Sequence, residues 1–290
     1  MSTSPRFVVT GASGQLGRLV VAALARRIGS SAVAAVVRDP SRAASLFPAG
    51  VSIRKGDYEQ PETLEAAFAG AERLLLISSN AVGARVPQHR NAIEAAKRAG
   101  VKRIAYTSLL HADVSKLGLA EEHRQTEALI AASGLDHSLL RNGWYTENYA
   151  ASIPPALQHG AFIGSAGAGR ISSASRQDYA EAAAVALIGD SAARVAHELA
   201  GDSSYSLTEF AAELSHQAGK PIPYVDMPEA EYRAALLGAG LPEGLAELIA
   251  NSDAAAANGA LFDESRTLSQ LIGRPTTPFA ATIAEALKAA

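Results

Sequence analysis

The sequence contains no cysteine among its 290 residues. Disulfide bridges, thiolate nucleophiles, iron–sulfur clusters and zinc sites with cysteine ligands are therefore excluded. The histidines at positions 89, 123, 137 and 159 show no spacing to another histidine or to a carboxylate that indicates a metal site. We therefore expect no metal, and any chemistry must use other side chains or an organic cofactor.

Excess charge and long apolar runs are also missing. The 26 basic and 29 acidic residues give a formal net charge of -3, which provides no basic field for a nucleic-acid partner. No segment approaches the roughly 18 uninterrupted apolar residues of a membrane span. The first residues lack a basic region followed by a long apolar stretch. We expect a cytoplasmic protein with no nucleic-acid or membrane partner.

Short apolar, β-branched runs alternate with helical stretches in the first half of the chain, which predicts βαβ units around a parallel sheet. Strands are predicted at Phe7–Thr10, Ala32–Val37, Val51–Arg54, Arg73–Ile77, Arg103–Thr107 and Ser138–Arg141. Helices are predicted between them at Leu16–Arg27, Glu62–Phe68, Gln88–Ala99 and Glu121–Ala132. Six such strands are enough for a complete doubly wound Rossmann sheet of the α/β class.

The texture of the sequence changes after about residue 150, where proline, glycine and alanine become frequent. Amphipathic helices are predicted there at Gln177–Ile188, Leu207–Ala218, Glu229–Leu237 and Glu243–Ala250. We therefore predict a nucleotide-binding domain over residues 1–150 and a smaller, mostly helical, substrate-side lobe over residues 151–290. This prediction leaves open that part of the second half of the chain returns to the sheet.

The strongest local signal is a glycine-rich turn between the first strand and the first helix. It contains Gly11, Ala12, Ser13, Gly14, Gln15, Leu16 and Gly17. The first glycine suits the sharp turn, the second lets backbone amides approach a pyrophosphate, and the third permits close packing of helix on strand. The GxxGxxG spacing is that of short-chain and extended dehydrogenases, so a nicotinamide dinucleotide is expected here.

The end of the second strand distinguishes NAD from NADP. An NAD enzyme usually has a carboxylate at this point, whereas a 2′-phosphate requires a cation. Arg38 follows the strand, and Asp39 is better placed to cap the helical turn that begins at Pro40. The sequence therefore favours NADPH.

Four further segments follow strands at the ligand edge of the sheet. Asp57 is a candidate for the adenine side, and Ser78, Ser79 and Asn80 are candidates for the nicotinamide ribose; both segments are equally consistent with ordinary turn chemistry. Asn142 begins an amide-rich, aromatic loop in which Trp144, Tyr145 and Tyr149 either form an aromatic wall or pin the second lobe to the first. His111, after the fifth strand, is either a proton donor or a loop residue.

The catalytic dyad of carbonyl-reducing short-chain dehydrogenases, Tyr-x-x-x-Lys, is missing. None of the lysines at positions 55, 97, 102, 116, 220 and 288 has a tyrosine four residues before it. Either the acceptor needs no such dyad, or the protein binds the nucleotide without chemistry. A quinone fits the first alternative, because its reduced phenolate is acidic enough to take a proton from solvent or a nearby hydroxyl.

These motifs resemble the NmrA-like atypical short-chain dehydrogenases. The resemblance rests on Thr-Gly-Ala-Ser-Gly-Gln-Leu-Gly, Val-Arg-Asp-Pro, Leu-Leu-Leu-Ile-Ser-Ser, Pro-Gln-His-Arg-Asn, Tyr-Thr-Ser-Leu-Leu-His-Ala-Asp and Leu-Leu-Arg-Asn-Gly-Trp-Tyr. It extends to Gly201-Asp202-Ser203 and Leu271–Pro278, and so spans almost the whole chain. More narrowly, the sequence resembles the bacterial NADPH-dependent quinone oxidoreductase 2 group, to which triphenylmethane reductase is related.

The resemblance implies direct reduction of a quinone by NADPH. It implies that Gly11–Leu16 hold the pyrophosphate, that Arg38 meets the 2′-phosphate, and that two segments line the nicotinamide end. These segments are Ser78, Ser79 and Asn80, and Asn142, Gly143, Trp144, Tyr145, Thr146 and Glu147. We expect Tyr145 to orient the acceptor or supply a proton, in a monomer or homodimer. Because NmrA itself is a regulator without redox chemistry, a nucleotide sensor is the alternative, and other conjugated electrophiles such as cationic dyes are alternative acceptors.

Overall fold

The computed structural model describes residues 5–190 and 193–289. In these ranges the strands are Phe7–Val9 (β1), Val33–Val37 (β2), Ser52–Lys55 (β3), Arg73–Leu76 (β4), Arg103–Leu109 (β5), Asp136–Asn142 (β6), Phe162–Gly164 (β7), Arg194–Leu199 (β8) and Tyr224–Asp226 (β9). The α-helices are Gln15–Ile28 (α1), Pro61–Phe68 (α2), Arg85–Arg98 (α3), Ala120–Ala132 (α4), Thr146–Ala150 (α5), Ile153–His159 (α6), Arg176–Ile188 (α7), Leu207–Ala218 (α8), Glu229–Gly238 (α9), Glu243–Ala256 (α10), Thr267–Ile272 (α11) and Phe279–Ala289 (α12). Short 3₁₀ helices lie at Ser30–Ala32, Pro40–Arg42 and Ala44–Leu46.

Seven strands form one sheet in the order β3-β2-β1-β4-β5-β6-β8. The neighbouring pairs from β3 to β6 are all parallel. The predicted doubly wound Rossmann sheet is therefore confirmed. The strand order reverses between β1 and β4, and in such sheets ligands bind outside the carboxyl ends of the strands at this switch point.

The central strands read as apolar runs because helices cover both of their faces. Every residue of β1, β2 and β5 is buried. On one face, buried strand residues pack with Phe68 of α2 and Ile93 of α3. Elsewhere α1 packs against α7, and Arg26 and Arg27 of α1 both form ion pairs with Glu181 of α7, at 2.5 and 2.8 Å.

Contacts divide the chain into two compact units. The first contains the residues up to Ala112, together with Glu121–Asn142 and Arg176–His197. The second contains Asp113–Ala120, Gly143–Ser175 and the residues from Glu198 onward. Part of the second half of the sequence thus belongs with the sheet. Nucleotide binding by residues 1–150 and a substrate-side role for residues 151–290 stay predictions.

The second unit is mostly helical and has an aromatic core. The ring of Phe210 lies 5.1 Å from that of Phe162, 5.7 Å from Tyr205 and 5.9 Å from Phe279, measured between centroids. Strands β7 and β9 form a separate parallel pair in this unit. Aromatic side chains bury large apolar areas, so this cluster contributes to the hydrophobic stabilisation of the second unit.

Two of the motifs quoted for the family resemblance meet inside the second unit. The N–H of Asp202 donates to Oγ1 of Thr276, and the N–H of Thr276 donates to Oδ2 of Asp202, each at 2.9 Å. A Cβ atom on the preceding residue, Gly201, would lie 2.1 Å from the carbonyl oxygen of Ser173. These motifs therefore hold two loops of the second unit together.

None of the helices in residues 5–190 and 193–289 has the length and apolar character needed to cross a membrane. The cytoplasmic location expected from the sequence is a separate matter and stays a prediction.

Candidate cofactor and active site

The glycine-rich turn follows β1 at the switch point of the sheet. Gly11 adopts a left-handed backbone conformation with φ of +59°, and its carbonyl accepts a hydrogen bond from the N–H of Gly14 at 3.0 Å. A Cβ atom on Gly17 would lie 2.4 Å from the carbonyl oxygen of Gly11, which is far inside van der Waals contact. Only glycine at position 17 lets α1 approach β1 this closely, as its predicted packing role requires.

The amino terminus of α1 is suited to an anion. Within the described residues, no side chain caps this helix, and its first turn carries no acidic residue. Gly11, Ser13, Gly14 and Gln15 are exposed. The first amides of a helix lack intrahelical partners and carry the positive end of its dipole. A glycine cradle with uncapped amides fits a pyrophosphate.

Arg38 and Asp39 follow β2, and Asp39 caps the next helical turn as predicted. The side chain of Asp39 accepts hydrogen bonds from the N–H and the hydroxyl of Ser41, at 3.0 and 2.6 Å, and caps the 3₁₀ helix that begins at Pro40. The Ser41 hydroxyl lowers the pKa of Asp39 from its usual value. Arg38 is exposed directly after the strand. Asp39 is thus engaged in its cap, and the role of Arg38 at a 2′-phosphate stays a prediction.

Asp57 lies after β3 and takes part in a turn. Its Oδ1 accepts the N–H of Glu59 at 3.1 Å, and its own N–H donates to Oγ1 of Thr63 at 2.9 Å. The neighbouring Tyr58 reaches across the edge of the sheet, since its hydroxyl lies 2.6 Å from Oγ1 of Thr10 and donates to the carbonyl of Ile77 at 2.8 Å. The loop after β3 is thus tied to the ends of β1 and β4.

The Ser78–Asn80 segment follows β4 on the other side of the switch point. The N–H of Ser78 donates to Oγ1 of Thr107, at the end of β5, at 2.8 Å. The N–H of Ser79 donates to Nε2 of His89 at 2.9 Å, and Arg85 donates to the carbonyl of Ser79. Three parallel strands therefore deliver the Gly11 turn, Ser78–Asn80 and Thr107 to one edge of the first unit.

Sequence reasoning missed the residues that support this edge. Gln88 donates to Glu59 at 2.9 Å, His89 accepts from Ser79, and Asn91 donates to the carbonyl of Tyr58 at 2.8 Å. All three belong to the Pro-Gln-His-Arg-Asn motif of α3. In the sequence, this motif contributes to the family resemblance, and the spacing of His89 excludes only a metal-ligand role. The available signal was a run of polar residues on an otherwise core-facing helix.

Two buried histidines lie behind this segment. Burial and the charge of Arg85 lower the pKa of His89 and of His123 to about 3 in each case. Nε2 of His123 faces Arg85 at 3.4 Å, and its Nδ1 lies 2.8 Å from the hydroxyl of Tyr106. Both imidazoles are neutral at neutral pH. They therefore form hydrogen bonds but are not acids that could protonate a substrate.

Asn142 ends β6 and has an unusual buried atom. Its carbonyl accepts the N–H of Leu110 at 2.9 Å, and its side chain is 5% exposed. Within the described part of the chain, Oδ1 of Asn142 has no hydrogen-bond partner. A buried amide oxygen without a partner is costly. Such an atom fits a ligand that brings its own donor, as the carboxamide of a nicotinamide does.

The next residues, Gly143–Glu147, belong to the second unit. The carbonyl of Trp144 accepts from the N–H of Ala174 at 3.1 Å, and the N–H of Thr146 donates to the carbonyl of Ala174 at 3.0 Å. The hydroxyls of Thr146 and Ser173 lie 2.8 Å apart. Tyr145, half-buried, precedes the first turn of α5. The backbone around Tyr145 is therefore firmly held within its own unit.

His111 follows β5 in a left-handed conformation with φ of +51°. This conformation is uncommon for a residue with a side chain and is concentrated at functional sites. Whether His111 donates a proton is not determined by its backbone, and both alternatives stay open. Among residues 5–190 and 193–289, no three histidine or acidic side chains are grouped as metal ligands would be.

A doubly wound parallel sheet with a glycine cradle and an uncapped helix at its switch point defines a dinucleotide-binding Rossmann-fold protein. Comparison with known proteins gives the family. Residues 11–190 match the NAD(P)H-binding family, and the chain belongs to it.

Named relatives extend this result over nearly the whole chain. The protein is 53% identical to Quinone oxidoreductase 2 of Escherichia coli K12 over 277 residues, which cover 96% of this chain and 97% of that protein. The crystal structure of an NADPH-dependent quinone oxidoreductase from Escherichia coli, complexed with NADPH, matches with a TM-score of 0.93, covering 97% of this chain and 99% of that one at 53% identity. Citrobacter sp. triphenylmethane reductase, complexed with NADP(H), matches with a TM-score of 0.92 at 35% identity, with the same coverage.

Proposed function

We propose that the protein is an NADPH-dependent oxidoreductase that transfers a hydride from the nicotinamide directly to a quinone, without a flavin. The observation that carries this proposal is the 53% identity to Quinone oxidoreductase 2 over 96% of the chain. Three features of the first unit support the cofactor half of the proposal: the glycine turn after β1, the uncapped terminus of α1 and the unpartnered buried Oδ1 of Asn142.

The phosphate end of NADPH would be bound by the turn after β1 and by Arg38. The backbone amides of the segment from Gly11 to Gly17 bind the pyrophosphate at the positive end of α1. Arg38 binds the 2′-phosphate with its guanidinium, which matches phosphate geometry. Asp57 lies on the adenine side. These contacts select NADPH over NADH.

The nicotinamide end would be bound by residues after β4 and β6. The Ser78–Asn80 segment contacts the ribose, and the side-chain amide of Asn142 contacts the carboxamide. Gly143–Glu147, which continue the chain directly from Asn142, line the same end. When bound, NADPH supplies the hydride. These residues hold the nicotinamide ring in one orientation.

The acceptor would be a quinone or another conjugated electrophile bound near Asn142–Tyr149. Tyr145 orients it or gives it a proton through its hydroxyl. The hydroxyl of Tyr149 donates to Oδ1 of Asp253 at 3.0 Å, and Tyr149 is only 5% exposed. A reduced quinone needs little help with protonation, which is consistent with a chain that has no Tyr-x-x-x-Lys dyad.

The state of association, monomer or homodimer, and the cytoplasmic location stay predictions.

The test is NADPH consumption by the purified protein, with no flavin added and with a benzoquinone or naphthoquinone as acceptor. The proposal predicts saturable turnover with NADPH, a much higher Michaelis constant for NADH, and no dependence on added flavin. Tight NADPH binding without turnover on any quinone would contradict the proposed enzymatic activity and favour a nucleotide sensor.

A further inference from the structure

Two side chains of α3 hold both polar backbone groups of Ser79. The N–H of Ser79 donates to Nε2 of His89 at 2.9 Å, and Nε of Arg85 donates to the carbonyl oxygen of Ser79. His89 is fully buried and Arg85 is 6% exposed. The peptide groups on both sides of Ser79 are therefore fixed in position and orientation by one helix.

The imidazole of His89 is itself fixed on every side. Because Nε2 accepts a hydrogen bond, the ring proton of the neutral form lies on Nδ1, which faces Oγ1 of Thr126 at 2.9 Å. Thr126 in turn donates to the carbonyl of Glu122 at 2.8 Å. Edge-on contacts with Tyr58 and Tyr106, at 6.0 and 5.4 Å between centroids, complete the surroundings of the ring.

The neutral state of His89 is necessary for this contact. A protonated ring would direct a second N–H at the N–H of Ser79, donor against donor. Burial of the ring, and second to it the charge of Arg85, lower the pKa of His89 to about 3, which keeps the ring neutral. Arg85 thus contacts Ser79 directly at its carbonyl, and its charge adds to the effect of burial on His89.

Arg85 is an expensive group to bury. Its NH1 lies 3.9 Å from Oε2 of Glu122, and Oε1 of Glu122 accepts the N–H groups of Gly83 and Arg85 at 3.1 Å each. Burial lowers the pKa of Arg85. A buried ion pair is weak evidence for stability, because apolar residues often replace one without loss. The directed contact with Ser79 gives a reason for placing a cation here.

We propose that His89 and Arg85 are positioning residues for NADPH, which fix the Ser79 peptide so that Ser78–Asn80 meet the nicotinamide ribose. This inference rests on the role proposed above for that segment. Neither side chain needs to touch the cofactor. The segment is held before NADPH arrives, so binding does not have to order it, which lowers its entropic cost.

A matched set of variants tests this. His89→Phe keeps the ring and its packing but removes the acceptor, whereas His89→Gln places an amide oxygen near the position of Nε2. His137→Phe is the control, because His137 is also a buried histidine but lies at the amino end of β6, where Nδ1 faces the carbonyl of Leu135. Four quantities are measured: the hydrogen-exchange rate of the Ser79 amide in cofactor-free protein, the NADPH dissociation constant, kcat and KM.

In His89→Phe we expect the Ser79 amide to exchange at least about tenfold faster and NADPH to bind about tenfold more weakly, as for a buried donor that has lost its acceptor. We expect the Gln variant to restore both quantities toward the wild-type values and His137→Phe to change neither. KM for NADPH rises more than kcat falls.

The proposal requires Ser79 protection and NADPH affinity to change together. A folded variant in which one changes without the other overturns it, as does an equal loss of affinity in His137→Phe. Should His89→Phe show no cooperative unfolding transition, the same criterion applied to His89→Gln decides. A wild-type protein that binds NADPH but reduces no quinone would contradict the proposed function and leave this inference standing, since the inference predicts affinity and amide exchange.

Discussion

Gly17 lies directly against Gly11, so that a Cβ atom on Gly17 would stand 2.4 Å from the carbonyl oxygen of Gly11. The same atom would lie 2.7 Å from Cα of Ala12. Both neighbours are backbone atoms, which cannot turn aside as a flexible side chain can. The distance between α1 and β1, and with it the position of the uncapped helix terminus, therefore depends on glycine at position 17.

Replacing Gly17 by alanine should therefore damage both the fold and the cofactor site. Relieving the overlap requires α1 to move away from β1, and overpacking of this kind costs about 2 kcal/mol of unfolding free energy. The amides of the first turn move with the helix, so we expect weaker NADPH binding. Urea denaturation and an NADPH titration measure the two effects.

Gly244→Ala is the matched control for this substitution. Gly244 lies in α10, and a Cβ atom there would meet nothing within 4 Å. Alanine is the better helix former by about 1 kcal/mol. We expect equal or higher stability and unchanged NADPH binding. Wild-type stability and affinity in Gly17→Ala would show that α1 tolerates the shift and would contradict the packing role of Gly17.

Arg38→Ala should discriminate between the two nicotinamide cofactors. A hydrogen bond between charged groups contributes about 1.5–3 kcal/mol, so we expect KM for NADPH to rise by about 10- to 100-fold while KM for NADH changes little. Lys97→Ala removes another exposed cation, whose ion pair with Glu94 is on the surface, and should change neither constant. Equal effects of Arg38→Ala on both cofactors would remove the 2′-phosphate role.

Tyr145→Phe tests the hydroxyl at the acceptor end. If that hydroxyl orients the quinone or gives it a proton, turnover should fall about 100-fold, the low end of the usual contribution of a general acid. The NADPH dissociation constant should stay at its wild-type value. Steady-state rates over a range of pH measure this, and an unchanged rate throughout the range would exclude Tyr145 from the chemistry.

Asp253 should make stability depend on pH within the second unit. It is 1% exposed, its Oδ1 accepts the hydroxyl of Tyr149, and its Oδ2 accepts the N–H of Ser165. Burial raises its pKa to about 6, whereas an unfolded aspartate has a pKa of about 3.9. The folded state therefore binds this proton more tightly. The resulting stabilisation is complete below about pH 4 and is lost as pH rises to about 6.

Comparison of wild type with Asp253→Asn isolates this contribution. The difference in unfolding free energy, wild type minus variant, should fall by about 3 kcal/mol between pH 4 and 6 and then stay level. Asp39→Asn is the control of opposite sign, because the Ser41 hydroxyl lowers the pKa of Asp39 and its contribution disappears as pH falls. A pH-independent difference for Asp253→Asn would show that the carboxyl is ionised in the folded protein.

Local patterns predicted the large sheet well because its strands are buried on both faces. All six predicted strands lie where β1 to β6 are found, within two residues at each end. Helix α3 begins at Arg85, three residues earlier than predicted, since Pro87 is tolerated in a first helical turn and no capping residue marks the start. The position of the motifs at one edge of the sheet could be predicted, because parallel strands bring their carboxyl ends to the same edge.

The remaining features depend on contacts that no local pattern encodes. Strands β7 and β9 have three residues each and pair across some sixty positions of sequence. The partners of His89 are Ser79, ten residues before it, and Thr126, thirty-seven residues after it. Sequence reasoning could notice the histidine. Only the three-dimensional arrangement shows that it holds the Ser79 peptide.

The most direct test of the central claim is an anaerobic single-turnover experiment with cofactor-free protein, NADPH deuterated at C4 of the nicotinamide, and a naphthoquinone. Direct hydride transfer predicts one hydroquinone formed for each NADPH consumed, at a rate that is slowed by the deuterium and unaffected by added flavin. Bound NADPH that persists unchanged beside excess quinone would contradict the account.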